Sequence, residues 1–153
     1  MSIDQRLAEL GITLPEAAAP VAAYVPAVEV NGLLHISGQI SFDEDGSLIL
    51  GRLGESLSTE QGQAAARRCG IMLLAQIKKA LGSLDRVERI VKLGVFVNSV
   101  GDYIDQPKVA NGASELMQDV FGEAGRHARS AVGVPTLPLG VAVEVDAIVA
   151  VKA

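Results

Sequence analysis

The residues best suited to chemistry lie late in the chain, between residues 126 and 146. Arg129 opens an apolar segment, and its planar guanidinium can bind a carboxylate through two parallel hydrogen bonds, which lysine cannot do. Glu144 lies between Val143 and Val145, where partial burial would raise its pKa and suit it to proton transfer. These two residues are therefore the first candidates for a functional pair.

Both residues also have a plainer interpretation, which the sequence leaves open. Arg129 could form structural ion pairs at a surface or interface, and Glu144 could be a solvated strand carboxylate. Asp146 shares a strand face with Glu144, so these two carboxylates could also do general acid–base work. A hairpin between residues 127–134 and 141–151 would bring Arg129 near Glu144, but the prolines between them also allow a crossing to a different strand.

No established catalytic motif accompanies the pair. The only histidines, His35 and His127, are too few for a histidine-based metal site, and neither is placed beside a nucleophile by the sequence. His127 is interpreted as a hydrogen-bonded polar residue, not as a catalyst. The single cysteine, Cys69, falls in an apolar helical stretch, which favours a buried thiol over a reactive one. The sequence thus predicts no metal site.

Composition sets the class of protein. The chain has 153 residues, 49% hydrophobic and 20% charged, which is typical of one globular domain with a substantial core. The net charge of −5 argues against a nucleic-acid partner, which usually requires a basic face. No apolar run is long enough to span a membrane, and no secretory signal is visible at the N-terminus. We therefore expect a soluble, cytoplasmic protein.

The elements that must position these residues follow from hydrophobic periodicity. The pattern predicts, in order, a short helix over 3–11, an extended connector over 12–23, a β-hairpin around Asn31-Gly32, a brief strand at 48–50, a helix over 58–82, a strand over 87–100, a helix over 102–122, and strands over 127–134 and 141–151. This is an α+β domain with both long helices on one face of one sheet. The strands are too apolar for a solvated opposite face, so the sequence predicts an oligomer.

A set of short motifs resembles the RidA/YjgF family of reactive enamine and imine deaminases, in the branch often labelled endoribonuclease L-PSP. The motifs run from about residue 20 onward and comprise Tyr24, Ser37-Gly38-Gln39-Ile40, Val95-Phe96-Val97, Ala128-Arg129-Ser130, Val132, Leu137-Pro138 and Val143-Glu144-Val145. The resemblance implies a chorismate-mutase-like α+β fold with a mixed sheet. It also implies a homotrimer whose sheets form a barrel, with sites in the clefts between subunits. Residues 1–19 then form an N-terminal extension of a single domain over residues 1–153.

The resemblance further implies roles for individual residues. Arg129 would clamp a ligand carboxylate, and Glu144 would orient a water molecule and shuttle protons. The binding cleft would also involve Tyr24, Ser37, Gly38, Asn111 and Ala131. Ala131 departs from the family pattern, because many members carry cysteine there. We expect Arg129 and Glu144 to meet across a subunit boundary.

The activity implied is hydrolysis of a small 2-imino or 2-enamino acid to a 2-keto acid and ammonia. Neither a metal nor an organic cofactor is expected, because a protonated imine is already electrophilic. Two other classes stay open. A non-catalytic, regulatory trimer that binds small carboxylates or keto acids would need Arg129 but not Glu144. An endoribonuclease would need a basic groove, which the acidic balance of the chain disfavours.

Overall fold

The computed structural model describes residues 1–20 and 23–153, whose helices and strands follow the predicted order. They are α1 (Ile3–Glu9), β1 (Ala27–Val30), β2 (Leu33–Ile40), α2 (Thr59–Leu81), β3 (Val87–Asn98), α3 (Gln106–Phe121), β4 (Ala128–Val134) and β5 (Val143–Val151). The strand predicted at 48–50 is wrong, because Leu48 and Leu50 form only isolated bridges. Both lie between Gly46 and Gly51, whose positive φ angles interrupt an extended ladder. The predicted connector has no helix or strand over residues 12–20, and Val21 and Ala22 lie outside the described residues.

Local signals in the sequence set the main boundaries. The hydroxyl of Ser58 accepts the amide of Gln61, whose side chain accepts the Ser58 amide in return, so a capping box begins α2. Gly82 ends that helix in the left-handed region, at φ +82°. The β1–β2 turn places Asn31 and Gly32 at φ +51° and +76°, which is the backbone that Asn-Gly favours. The predicted hairpin and first long helix are therefore confirmed.

The sheet has the order β1-β2-β5-β3-β4. β5 is the last strand in the sequence and lies at the centre, antiparallel to both β2 and β3. β4 is an edge strand that pairs in parallel with β3. The chain between β4 and β5 therefore crosses to a different strand, and the simple hairpin between them does not form.

Both long helices cover one face of this sheet. Along β5 the residues on that face are all buried: Val143, Val145, Ala147, Val149 and Val151. Hydrophobic periodicity predicts an apolar stripe along α2. The stripe consists of Ala65, Cys69, Met72, Leu73, Ile77 and Ala80. All of these residues are buried except Ala80, which is exposed in the last turn. None of the helices in the described ranges combines the length and apolarity needed to cross a membrane.

The opposite face of the sheet carries apolar side chains that no described helix covers. Val28, Val30 and Val132 are 50%, 49% and 46% exposed. The strand register places them on the same face as Phe96 and Ile148. Such an apolar face is typical of a surface that meets another protein chain.

The N-terminal helix docks on the helical layer. Leu7 is buried, and the carboxylate of Asp4 lies 3.0 Å from the Nζ atom of Lys78 in α2. The Nε atom of Arg6 donates to the carbonyl oxygen of Asp119 in α3 at 2.8 Å. An exposed ion pair contributes little to stability, so burial of Leu7 is the main stabilising contact. The first part of the predicted extension is thus attached to both long helices.

Substituting Gly112 by alanine should destabilise the fold where α2 and α3 meet. A Cβ atom at residue 112 would overlap the backbone carbonyl oxygen of Gln63. Alanine favours a helix over glycine by about 1 kcal/mol, but overpacking of this kind typically costs about 1–3 kcal/mol. Because backbone atoms cannot rotate away, we expect a net loss in the free energy of unfolding, measured in urea at fixed protein concentration.

Gly101→Ala is the matched control, since a Cβ atom there would meet nothing within 4 Å. That variant should stay within about 0.5 kcal/mol of the wild type. Equal stability of the two variants would show that the helices do not approach closely at Gly112.

Candidate functional site

Arg129 lies on the edge strand β4, on the face that the helices cover, because it is in register with the buried Leu93. Its Nη1 atom donates to Asn111 Oδ1 at 2.8 Å and to Ser114 Oγ at 3.1 Å. Its Nη2 atom donates to the carbonyl oxygen of Pro107 at 3.4 Å. Within residues 1–20 and 23–153, no carboxylate lies within 4 Å of this guanidinium. Neutral groups therefore hold Arg129, and its charge is not neutralised by an ion pair within the described chain.

The helix α3 supplies two of these partners from one surface. Asn111 and Ser114 are three residues apart, a spacing that places both on the same helix face. Sequence reasoning proposed Asn111 for the cleft but did not identify Ser114. The available signal for Ser114 was its i, i+3 spacing from Asn111, which places two small polar side chains on one helix face.

His127 extends this network behind Ser114. Its Nε2 atom lies 2.8 Å from Ser114 Oγ, and its Nδ1 atom lies 2.7 Å from the carbonyl oxygen of Gly125. Burial lowers the pKa of His127 below its usual value, and the nearby Arg129 charge acts in the same direction. The prediction that His127 is a hydrogen-bonded polar residue is confirmed.

Glu144 lies on the opposite face of the sheet, half-buried among β2, β5 and β3. Burial raises the pKa of its carboxyl group, and the like charge of Asp146 on the same face raises it further. Gly38 faces it, since a Cβ atom there would lie 2.7 Å from Glu144 Oε2. The glycine therefore leaves room for the carboxylate and for access to it.

One chain does not bring Arg129 and Glu144 together. They project from opposite faces of the sheet, on β4 and β5, and β3 lies between those strands. The hydrogen-bonding register alone excludes direct contact within one sheet. A shared ligand would therefore need these two side chains to come from different copies of the chain.

An open cleft of about 470 Å³ borders Glu144, Gly38 and Tyr24. Its other walls are mostly apolar and include Ala18, Pro20, Pro26, Ile40, Phe42 and Leu139. Ser37 is not part of this lining, and its hydroxyl donates to the carbonyl oxygen of Val25 at 2.9 Å. The cleft can thus hold a small molecule with an apolar group beside a desolvated carboxylate.

Two buried glutamines fix the wall of this cleft. The Nε2 atom of Gln76 in α2 donates to the carbonyl oxygen of Ala18 at 2.7 Å and to Gln39 Oε1 at 3.3 Å. Gln39 in turn donates to the carbonyl oxygen of Ser37 at 2.9 Å, beside the β-bulge between residues 36 and 39. This network ties the N-terminal connector to the strand that faces Glu144. The sequence analysis did not identify Gln76. The available signal was a glutamine within a run of buried apolar residues in α2, since a buried side-chain amide needs hydrogen-bond partners.

The residues proposed from the sequence thus fall into two groups. Asn111 and Arg129 are in contact, and Ala131 lies two residues along β4 on the same face, in register with Val95. The second group surrounds the open cleft and consists of Tyr24, Gly38 and Glu144. Ser37 precedes Gly38 in β2 but does not line the cleft. The two groups lie on different faces of the sheet.

Cys69 belongs to neither of these two groups. Cys69 is fully buried, its Sγ atom donates to the carbonyl oxygen of Val143 at 3.3 Å, and burial raises the pKa of its thiol. The predicted buried thiol is confirmed. The described residues contain no group of three or more His, Cys, Asp or Glu side chains that could hold a metal ion.

Comparison with known proteins assigns this architecture to a family. The chain is 55% identical to protein TCP17 of Trypanosoma cruzi over 144 residues, which cover 94% of this chain and 90% of that protein. A crystal structure of a putative endoribonuclease from Shewanella oneidensis superposes with a TM-score of 0.95 at 34% identity, covering 99% of this chain and all of that one.

A more distant relative carries the name of an enzyme. The 2-iminobutanoate/2-iminopropanoate deaminase of Dermatophagoides farinae is 27% identical over 142 residues, which cover 92% of this chain and 95% of that protein. The family model described as YjgF/chorismate mutase-like, putative endoribonuclease, matches residues 4–150. The mixed sheet, its helical layer and these similarities together show that the chain belongs to the YjgF/chorismate mutase-like family.

Proposed function

We propose that this protein hydrolyses 2-imino acids to 2-keto acids and ammonia in a cleft between two copies of the chain. The observation that carries the proposal is the pairing of two incomplete half-sites on one chain. One holds an arginine that lacks a carboxylate partner within the described residues, and the other holds a desolvated glutamate beside an open cleft. The family also includes a protein named for this reaction.

The assembly that we propose is a homotrimer whose sheets enclose a central barrel. The exposed valines on the uncovered face supply apolar area for such contacts. β4, which carries Arg129, is an edge strand, and in the proposed assembly it lies beside the Glu144 cleft of a neighbouring copy. Sedimentation equilibrium should give three times the chain mass of 15.9 kDa. A stable monomer would remove the basis for a shared site.

The reaction follows from the chemistry of the two side chains. Arg129 binds the substrate carboxylate through its fork and so fixes the position of the imine carbon. The Glu144 carboxylate accepts a proton from water as the water oxygen bonds to that carbon, and the C=N π electrons move to nitrogen. Glu144 then returns the proton to nitrogen. Nitrogen, which was already protonated in the starting imine, is now an ammonium group. Glu144 takes the remaining hydroxyl proton as the C=O bond forms, the electrons of the C–N bond leave with nitrogen as NH3, and Glu144 then releases its proton to solvent.

The direct test supplies imines generated in place by an amino acid oxidase and follows trapping with semicarbazide together with release of ammonia. Wild-type protein should lower the amount of trapped imine and speed the release of ammonia. If 2-keto acids bind but no imine is consumed faster than in buffer, the protein is a carboxylate-binding protein and not a hydrolase.

We expect the enzyme to prefer imines with an apolar side chain. Glu144 is the one charged group among the described residues that line the cleft, and most of the other walls are apolar. An acidic side chain placed there would be desolvated beside a like charge. The value of kcat/KM for the imine derived from leucine should exceed that for the imine derived from glutamate by at least about tenfold.

Leu139 offers a variant that tests this preference. Its side chain is 68% exposed at the cleft, and its backbone has φ +61°, a conformation that aspartate tolerates better than leucine. Leu139→Asp should therefore fold and should lower the ratio of the two kcat/KM values. Leu50→Asp is the matched control, because Leu50 is 54% exposed and does not line the cleft. Equal effects of both variants on the ratio would contradict the assignment of the apolar cleft.

A further inference from the structure

We infer that His127 is a positioning residue for Arg129 and that it acts through the hydroxyl group of Ser114. The inference rests on the proposed function, in which Arg129 clamps the substrate carboxylate. It concerns three side chains that are joined in sequence by hydrogen bonds, with distances of 2.8 Å from His127 to Ser114 and 3.1 Å from Ser114 to Arg129.

The direction of each hydrogen bond is determined by chemistry. A backbone carbonyl only accepts, so the Nδ1 atom of His127, 2.7 Å from the Gly125 oxygen, must carry a hydrogen. In the neutral ring Nε2 is then an acceptor, and the Ser114 hydroxyl donates to it. A guanidinium only donates, so Arg129 Nη1 donates to a lone pair of the same hydroxyl. The three groups form one consistent chain of donors and acceptors.

The neutral form of His127 suits this arrangement, and the surroundings favour it. Burial lowers the pKa of the imidazole and outweighs the hydrogen bond to Gly125, which raises the pKa, and the charge of Arg129 lowers it as well. The Gly125 carbonyl holds the ring in the tautomer that leaves Nε2 free to accept. Gly125 is itself buried, and a Cβ atom there would overlap the backbone of Met117, so α3 packs closely against this residue.

Without His127 the Ser114 hydroxyl would need another acceptor. A serine within a helix usually turns its hydroxyl toward the backbone carbonyl of the preceding turn. That rotation would move the lone pair away from Arg129 Nη1. Asn111 and the Pro107 carbonyl would still hold the guanidinium, so its orientation should become less defined without being lost.

Two substitutions of His127 separate positioning from a packing effect. His127→Leu removes both hydrogen bonds, whereas His127→Gln keeps an acceptor, Oε1, near the place of Nε2. Arg129 binds the substrate carboxylate equally in the ground state and the transition state. We therefore expect His127→Leu to raise KM about tenfold while kcat changes less than about twofold. His127→Gln should recover most of that loss. A packing defect would lower thermal stability and would not be rescued by glutamine.

A double-substitution cycle tests whether the effect passes through Ser114. Ser114→Ala should raise KM as His127→Leu does, and combining the two should add nothing further. Additive effects, or an unchanged KM in His127→Leu, would overturn the inference and leave the proposed hydrolysis standing. If His127→Leu does not fold, His127→Ala takes its place in the same cycle, and an unchanged KM in that variant overturns the inference.

Failure of the proposed function is distinguishable from failure of this inference. If wild-type protein hydrolyses no imine, the calorimetric Kd for 4-methyl-2-oxopentanoate replaces KM in the same comparisons. The NMR resonance of the Arg129 guanidinium gives a third readout that needs no ligand. It should shift in His127→Leu and remain near the wild-type position in His127→Gln. An unshifted resonance in His127→Leu would contradict the inference whatever the protein binds.

Discussion

Replacing Arg129 with lysine should lower kcat/KM for 2-imino acid hydrolysis by about 100-fold, even though the positive charge is kept. Lysine has a single ammonium group, which cannot meet Asn111, Ser114 and an incoming carboxylate in one plane. Each lost hydrogen bond to a charged group typically costs about 1.5–3 kcal/mol, and about 1.4 kcal/mol corresponds to a factor of ten. The loss should appear mainly in KM and in the Kd for 2-keto acids.

Arg126→Lys is the matched control for this experiment. Arg126 lies three residues earlier in the chain, and its side chain is exposed with its nearest carboxylate, on Glu123, at 4.0 Å. We expect its kinetic constants to stay within about twofold of the wild type, since exposed ion pairs contribute little. Retention of full activity by Arg129→Lys would eliminate the carboxylate clamp, because charge alone would then be sufficient.

Replacing Glu144 with glutamine should reduce kcat by about 10²–10⁴-fold while the Kd for 2-keto acids changes little. Glutamine has nearly the same shape, and the space above Gly38 that accommodates the carboxylate would accommodate the amide. The amide cannot accept a proton from water, so only the chemical step is lost. Unchanged kcat would remove Glu144 from the mechanism and favour a role in ligand binding alone.

The pH dependence of activity independently tests the assignment of Glu144 as the general base. Glu144 must be ionised to accept a proton, and burial together with Asp146 raises its pKa above the usual value of 4.5. Activity should therefore fall as pH decreases through this raised pKa, at higher pH than for an ordinary glutamate. Asp146→Asn removes the smaller cause, so the acidic limb should move to lower pH by a modest amount. A shift in the other direction would mean that another group controls this limb.

Local physical signals in the sequence were sufficient to predict most of the helices, strands and turns of the fold. The capping box at Ser58, the left-handed Gly82 and the Asn31-Gly32 turn each act within a few residues, so their consequences could be predicted without tertiary contacts. The chemistry of Arg129 and Glu144 was visible for the same reason, since a guanidinium fork and a carboxylate between valines are local properties. The alternation along β5 between buried apolar residues and residues on the opposite face of the sheet was also visible in the sequence.

The parts that sequence reasoning could not supply depend on contacts between distant segments. The pairing registers of β3 with β4 and β5 put Arg129 and Glu144 on opposite sides of the sheet, and the proline-containing segment between residues 134 and 143 is compatible with a hairpin as well as with the observed crossing. Gln76 meets the Ala18 carbonyl across 58 residues of chain, and Ser114 meets His127 only after α3 has turned back to β4. Periodicity identifies which face of an element is buried but not which partner lies against it.

The central position of β5 also determines the order in which this protein can fold as it is synthesised. β2 and β3 do not pair with each other, because β5 lies between them and hydrogen-bonds to both. A nascent chain that has not yet released residues 143–151 from the ribosome therefore holds two partial sheets, β1-β2 and β3-β4, each with an open edge. The hydrophobic core is completed only when β5 joins the sheet, and the same step places Glu144 in its cleft. We therefore expect no catalytically competent folding intermediate. We also expect the backbone amides of β5 to be among the slowest to exchange hydrogen with solvent.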